Sequence, residues 1–408
     1  VTSPTRVAMP GQVRSLAAHH PAGPLYVTSY GTDVLETVLS AVDLSGAVLW
    51  QRTFPGTGRP QSRGSQHGVL WLARPGDGGP VLEGIGPDGE TTSVVAPACD
   101  AGEEIGAFVV LDDGFCLAWA AASPFQRGDA PYREPRVARY ARDGRCLWSA
   151  PISLGALSHT GVLETGVHTD WEVQPKQPWT PEEVDVDDWE PLLVSGDRAA
   201  ASFVERRGGI GATFFLDLAG GGIVASTKPL PAGRKAIAGP AEFLIGSQGY
   251  GEFSTARYDR DGAQVARWNS HGAMLVDAAG AVRGPELENR LPSRSRFRVL
   301  TDTGALVDGP ALTGYYTSYP ALDSAGTAVF WRDGKLLAVD SSLTQHEYFA
   351  TDDSRNVISR ILLLDAGLVA FALDSELLLI QTPLRPLASG SWPCGDGNLH
   401  GNPVRSTG

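Results

Sequence analysis

The chain reads as an all-β protein, a single β-propeller most naturally made of eight four-stranded blades and closed by an N-terminal strand. Three observations lead there. Short apolar runs recur from end to end, punctuated by Asp-Gly-type turns. The turns return about every 40–55 residues, the length of a four-stranded blade. Glycine (49) and proline (29) are frequent among the 408 residues while charged residues make up only 19 %, which suits short strands and turns better than helices.

Arg136-Val-Ala-Arg-Tyr-Ala-Arg-Asp-Gly-Arg-Cys-Leu-Trp148 defines the unit. Val137–Tyr140 alternate like a half-buried strand, Asp143-Gly144 makes the turn, and Cys146-Leu147-Trp148 begins the return strand. One hairpin cannot bury its own apolar face, so it needs neighbours like itself. Leu39–Trp50, Leu82–Glu90, Phe214–Gly221, Thr255–Trp268, Phe297–Val307, Leu336–Leu343 and Ser375–Gln381 supply them. Further apolar runs upstream, such as Phe108–Leu111 with Phe115–Trp119 and Ile361–Leu364 with Leu368–Leu373, provide the first two strands of a unit. The eight units start near Val13, Gln61, Asp100, Leu154, Lys235, Ser270, Tyr316 and Asp352. The last has apolar runs for three strands only. A closed ring must hide its edges, so Arg6–Pro10 is expected to add the missing outer strand. Residues 1–408 are read as one domain, with a loop insertion at 158–191 and a C-terminal tail at 383–408.

Composition excludes several function classes. A net charge of −13 argues against a nucleic-acid partner, whose phosphates call for a basic face. No apolar run approaches the ~18 residues of a membrane span. The four cysteines, Cys99, Cys116, Cys146 and Cys394, lack metal-ligand spacing, and the sequence leaves their disulfide state open. The Pro/Ser/Thr-rich opening Val1–Pro10 reads as a mature exported N-terminus, so an extracytoplasmic location (periplasmic, cell-surface or secreted) is expected. Nucleophile elbows, zincin helices, phosphate loops and dinucleotide fingerprints are all missing from the sequence. No catalytic residue, metal or cofactor is assigned.

The Ala-Val-Asp-x-x-Gly-x-Val-Leu-Trp pattern of residues 41–50 resembles the repeat of quinoprotein-like propellers, the PQQ-like repeat. Ser391-Trp-Pro-Cys-Gly-Asp-Gly-Asn-Leu-His-Gly401 is similar to a Trp-Pro…Gly-Asp segment at the ends of such chains. The resemblance implies an eight-bladed propeller. It covers both quinone dehydrogenases and catalytically silent scaffolds such as the outer-membrane barrel-assembly lipoprotein. The dehydrogenases carry adjacent cysteines beside the quinone, and this chain has no Cys-Cys pair.

In a propeller, the links between blades and the loops joining second to third strands emerge on one face. Here that face receives every long irregular segment: 121–136, 247–254, 286–296, 309–320 and, above all, 158–191. The insertion contains Trp171, Trp179 and Trp189 among nine acids. Two readings follow, an aromatic platform for a ligand or tryptophans folded back onto the rim. The first makes Trp171, Trp179, Tyr315, Tyr316 and Tyr319 the border of a binding site, with Arg127, Arg133 and Arg296 as polar contacts and His67 on an inner strand. Asp185–Asp188 lack the spacing of a Ca²⁺ loop. The function expected is non-catalytic binding of a protein or glycan partner, as a scaffold or surface-recognition module. The alternative is a carbohydrate-active hydrolase or lyase with a carboxylate/His site in the central channel.

Overall fold

A computed structural model describes residues 3–31, 36–56, 61–65, 67–122, 133–154, 184–205, 209–249, 252–287, 295–313, 318–352, 355 and 359–406. The described strands form seven sheets of four strands and one of seven. Each four-stranded sheet is an antiparallel meander of strands up to nine residues long, side by side in chain order except where the N-terminus joins the last sheet. The first strand of a sheet is buried, as in Lys235–Gly239, and the fourth is largely exposed, as in Val48–Pro55 and Cys146–Pro151. Repeated meanders of this kind are the blades of a β-propeller, which is the fold class of the chain.

Seven four-stranded blades stand where the sequence led us to expect eight. The difference lies in the fourth unit, whose described strands form the sheet of seven. Its described strands begin at Val184, and residues 155–183, which follow the expected start near Leu154, lie outside the described residues. Val184–Val186 pairs with Arg198–Glu205, and Leu230–Pro231 pairs with Ile210–Asp217. Val404–Arg405 adds a parallel strand beside Leu192–Ser195, which brings the sheet to seven.

The contacts divide the chain into two compact units. The first comprises Val1–Pro75, Val81–Val94 and Gly272–Asn402; the second comprises Gly76–Pro80, Val95–His271 and Pro403–Gly408. In the first unit, Thr5–Ala8 pairs antiparallel with Glu376–Gln381, with Val7 opposite Leu377. The outer strand expected at Arg6–Pro10 is thus present in this sheet, at Thr5–Ala8. Val7 and Met9 join the buried cluster of Leu16, Leu25, Leu362 and Leu379. The second unit has its own core, in which Val109, Cys116, Val137, Leu192, Phe203 and Phe214 are buried. All four cysteines are free thiols.

The repeat has a local explanation. In the turn after Val42, Asp43 Oδ1 accepts the amides of Ser45 and Ala47, at 2.9 Å each. Asp259, Asp277, Asp323 and Asp340 repeat this, each accepting the amides two and four residues on. Gly46 and Gly262 take the positive φ such turns need. The tryptophan that ends a unit packs on the turn glycine of the next sheet. Trp50 Nε1 donates to the Pro87 carbonyl at 2.7 Å, and a Cβ on Gly89 would lie 2.8 Å from the Trp50 ring. Trp148 does the same against Leu218 and Gly221 in the second unit.

Candidate functional site

Strand order sends the links between sheets and the loops between second and third strands to the same end of each sheet. In the second unit this end carries Val184–Pro191, the ends of Arg198–Glu205 and Ile210–Asp217, and the link Thr227–Arg234. A narrow cleft lies there, lined by Asp187, Ser202, Thr213, Thr227, Gly233 and Lys235 among others. Among its described lining it has room for a water-sized group.

Lys235 begins a wholly buried strand, and its side chain is 3 % exposed. A buried cation needs every donor satisfied. Nζ donates to Asp187 Oδ2 at 2.8 Å, to the Trp189 carbonyl at 2.7 Å and to the Gly233 carbonyl at 2.9 Å. The Lys235 amide donates to Glu190 Oε2 at 2.9 Å. Arg234 lies 4.2 Å from the centre of the Trp189 ring and 3.5 Å from Glu190 Oε1. Its amide donates to Nε2 of His271, which is buried. Burial first, then Arg234 and Lys235, lower the His271 pKa to about 3, so the ring is neutral at pH 7. The hydroxyls of Ser202 and Thr213 are 2.7 Å apart, and Thr227 Oγ1 accepts the Thr213 amide at 3.0 Å. The lysine and the carboxylate facing the cleft are thus engaged with each other and with the backbone. A general acid or base needs a proton site open to substrate, and this pair does not offer one.

In the first unit the C-terminal tail occupies the ends of the buried first strands. Arg360, 2 % exposed, donates from Nε to the Leu16 carbonyl at 2.5 Å and from its terminal nitrogens to the carbonyls of Gly395 (2.9 Å), Asn398 and Leu399 (2.5 Å). Arg63 donates to the Gly401 carbonyl at 2.8 Å and pairs with Asp396 at 3.1 Å. Trp392 bridges to Val276 and Cys394 to Ala321. Arg332, also buried, donates to the carbonyls of Thr313 and Glu286 and to Ser295 Oγ.

Of the residues named from the sequence, Tyr319, Arg133, Arg296 and His67 are among the described ones. Trp171, Trp179, Tyr315, Tyr316 and Arg127 lie outside the described residues. Tyr319 is half-buried beneath the tail, where a Cβ on Gly395 would come within 2.6 Å of it. Arg133 is exposed and 3.7 Å from Asp100. Arg296 is half-buried, with its amide on Glu286 and its guanidinium near Asp308. His67 is exposed in the turn joining Ser62–Gly64 to Leu70–Gly76, not on the inner strand as expected. Trp189, the one described tryptophan of the insertion, is folded back under Arg234. Asp185 and Asp187 are buried, and no cluster of metal-ligating side chains occurs among the described residues. No helix is long and apolar enough to cross a membrane among the described residues. Sequence reasoning passed over Lys235, Arg360 and the Arg63–tail contact. The available signal was a charged residue abutting an apolar run, as in Lys235-Ala-Ile-Ala and Arg360-Ile-Leu-Leu.

No protein-family model matches the chain, and no curated protein does. Solved structures resemble it in fold. A chain of the mitotic checkpoint complex is 9 % identical with a TM-score of 0.49, covering 93 % of this chain and 95 % of its own. The Cps50 (Swd1) β-propeller domain of Myceliophteria thermophila is 12 % identical with a TM-score of 0.45, covering 93 % and 98 %. Hydrazine synthase of Kuenenia stuttgartiensis is 10 % identical with a TM-score of 0.47, covering 92 % and 97 %. Likeness at this level carries nothing about activity.

Proposed function

We propose that this chain is a non-catalytic, extracytoplasmic propeller of the PQQ-like repeat kind, forming one domain. It binds a protein partner on the sheet ends that carry its links and irregular loops. The observation that supports this most is how the buried ionic groups there are used. Lys235, Asp187 and Glu190 hold one another and the backbone in place, and the described lining of their cleft has room for a water-sized group. The carbohydrate-active alternative needs two free carboxylates flanking a sugar, which this cleft does not supply. A glycan partner would depend on the aromatic residues of the insertion, Trp171 and Trp179, and we rank it second to a protein. Asp188 and Lys228 are exposed at these strand ends, whereas Val265 is exposed on an outer strand. A photoreactive residue placed at Asp188 or Lys228 in the native source should form partner adducts that one at Val265 does not. Adducts only at Val265, or glycosidase activity that survives Asp187→Asn, would contradict the proposal.

A further inference from the structure

The segment Cys394–Asn402 lies within the first unit and is fastened there by backbone as well as by arginine. The Leu399 carbonyl accepts the Ala18 amide at 2.9 Å, and the His400 carbonyl accepts the Gly64 amide at 2.7 Å. These bonds bring the His400 ring to 5.8 Å from that of His19, centre to centre. The His19 ring in turn lies 4.9 Å from Tyr26. Neither ring nitrogen of His19 has a hydrogen-bond partner, nor does Nδ1 of His400.

The charges around this pair are unbalanced. Arg360 is buried under the segment, and Arg63 reaches the Gly401 carbonyl. The carboxylate facing them is that of Asp396, which pairs with Arg63. The other titratable neighbours are Tyr26, whose phenol burial pushes up, and Cys394, whose thiol burial pushes up to about 11. Both are neutral below pH 8. His20, in the same turn as His19, is exposed and accepts the Ala22 amide. A proton on either imidazole would add a third positive charge where two guanidiniums share one carboxylate.

We propose that His19 and His400 form an acid-operated latch, and that protonating the pair releases Cys394–Asn402 from the strands Gly11–Ala18 and Ser62–Gly64. In the released state both rings are in water and take protons near about 6.5. In the docked state His19 is lowered to about 4, by burial and then by His400, and His400 is lowered by burial and then by Arg360. The released state therefore binds protons first as pH falls. Docking is at full strength above about 6.5 and weakens between there and about 4, by about tenfold for each unit a pKa is depressed. Release uncovers Arg360 and Arg63.

Hydrogen exchange read by mass spectrometry, corrected for the intrinsic pH dependence of exchange, tests the latch. Protection of Cys394–Asn402 should fall about tenfold or more from pH 7 to pH 4.5, while the strand Leu368–Leu373 keeps its protection. The fall should vanish in the double variant His19→Gln, His400→Gln. Unchanged tail protection in the wild type, or an equal loss in the double variant, overturns the latch. Should the double variant fail to fold at pH 7, NMR titration of the wild-type rings decides. Midpoints well below 6.5 support the latch, and midpoints at the free value overturn it.

Discussion

Lys235 and Asp187 meet at 2.8 Å with side chains 3 % and 5 % exposed, so the last residues of the insertion are tied to the first residue of the next sheet. The pair is a fixture of the fold. Removing one member strands the other charge, whereas removing both leaves an apolar contact. Lys235→Met and Asp187→Asn should each cost about 3–5 kcal/mol. The double variant Lys235→Met, Asp187→Leu should cost well under the sum, as denaturant unfolding of all variants would show.

Deleting Thr5–Ala8 should destabilise the first unit by about 3 kcal/mol or more, because a four-residue ladder against Glu376–Gln381 is lost and Val7 leaves its cluster. A synthetic peptide of residues 1–10 should restore part of the loss. Denaturant midpoints with and without the peptide measure both effects.

Gly89 has positive φ and faces the Trp50 ring, while Gly68 has positive φ with nothing within 4 Å of its would-be Cβ. Gly89→Ala should therefore cost about 2–4 kcal/mol, from backbone strain plus overpacking, and Gly68→Ala about 1 kcal/mol, from strain alone. Thermal unfolding of the two variants separates the terms.

His271 is neutral in the fold, with its pKa lowered to about 3 by burial and then by Arg234 and Lys235. The unfolded chain takes up this proton near about 6.5, so the stability His271 confers is complete above that pH and drains away as pH falls towards 3. His271→Gln should flatten the acid side of the stability profile between pH 6.5 and 3. Chemical denaturation across that range measures the slope.

The fold was legible where each repeat carries its own physics. Asp43, Gly46 and Trp50 announce a turn and the docking of one sheet on the next, and the missing outer strand pointed to Arg6–Pro10 from edge protection alone. The enlarged sheet was not legible. Val184–Val186, Leu230–Pro231 and Val404–Arg405 are two or three residues long, too short for periodicity to register, and they pair with partners chosen by tertiary packing. The candidate site was less legible still. Aromatics in irregular segments suggested a platform; Tyr319 lies under the tail and Trp189 under Arg234, while Trp171, Trp179, Tyr315 and Tyr316 lie outside the described residues. Which loop end covers which residue depends on contacts across long sequence separations, as with Arg360 and Leu16, and single-chain patterns do not encode them.

The proposed partner sits at the loop-bearing strand ends of the second unit. The measurement closest to that claim is a hydrogen-exchange footprint of the protein isolated with its native partner, compared with the protein alone. Added protection in the peptides spanning Val184–Pro191 and Thr227–Arg234, with none in the outer strands Cys146–Pro151 and Gln264–Trp268, is the predicted result. Protection confined to those outer strands would contradict it.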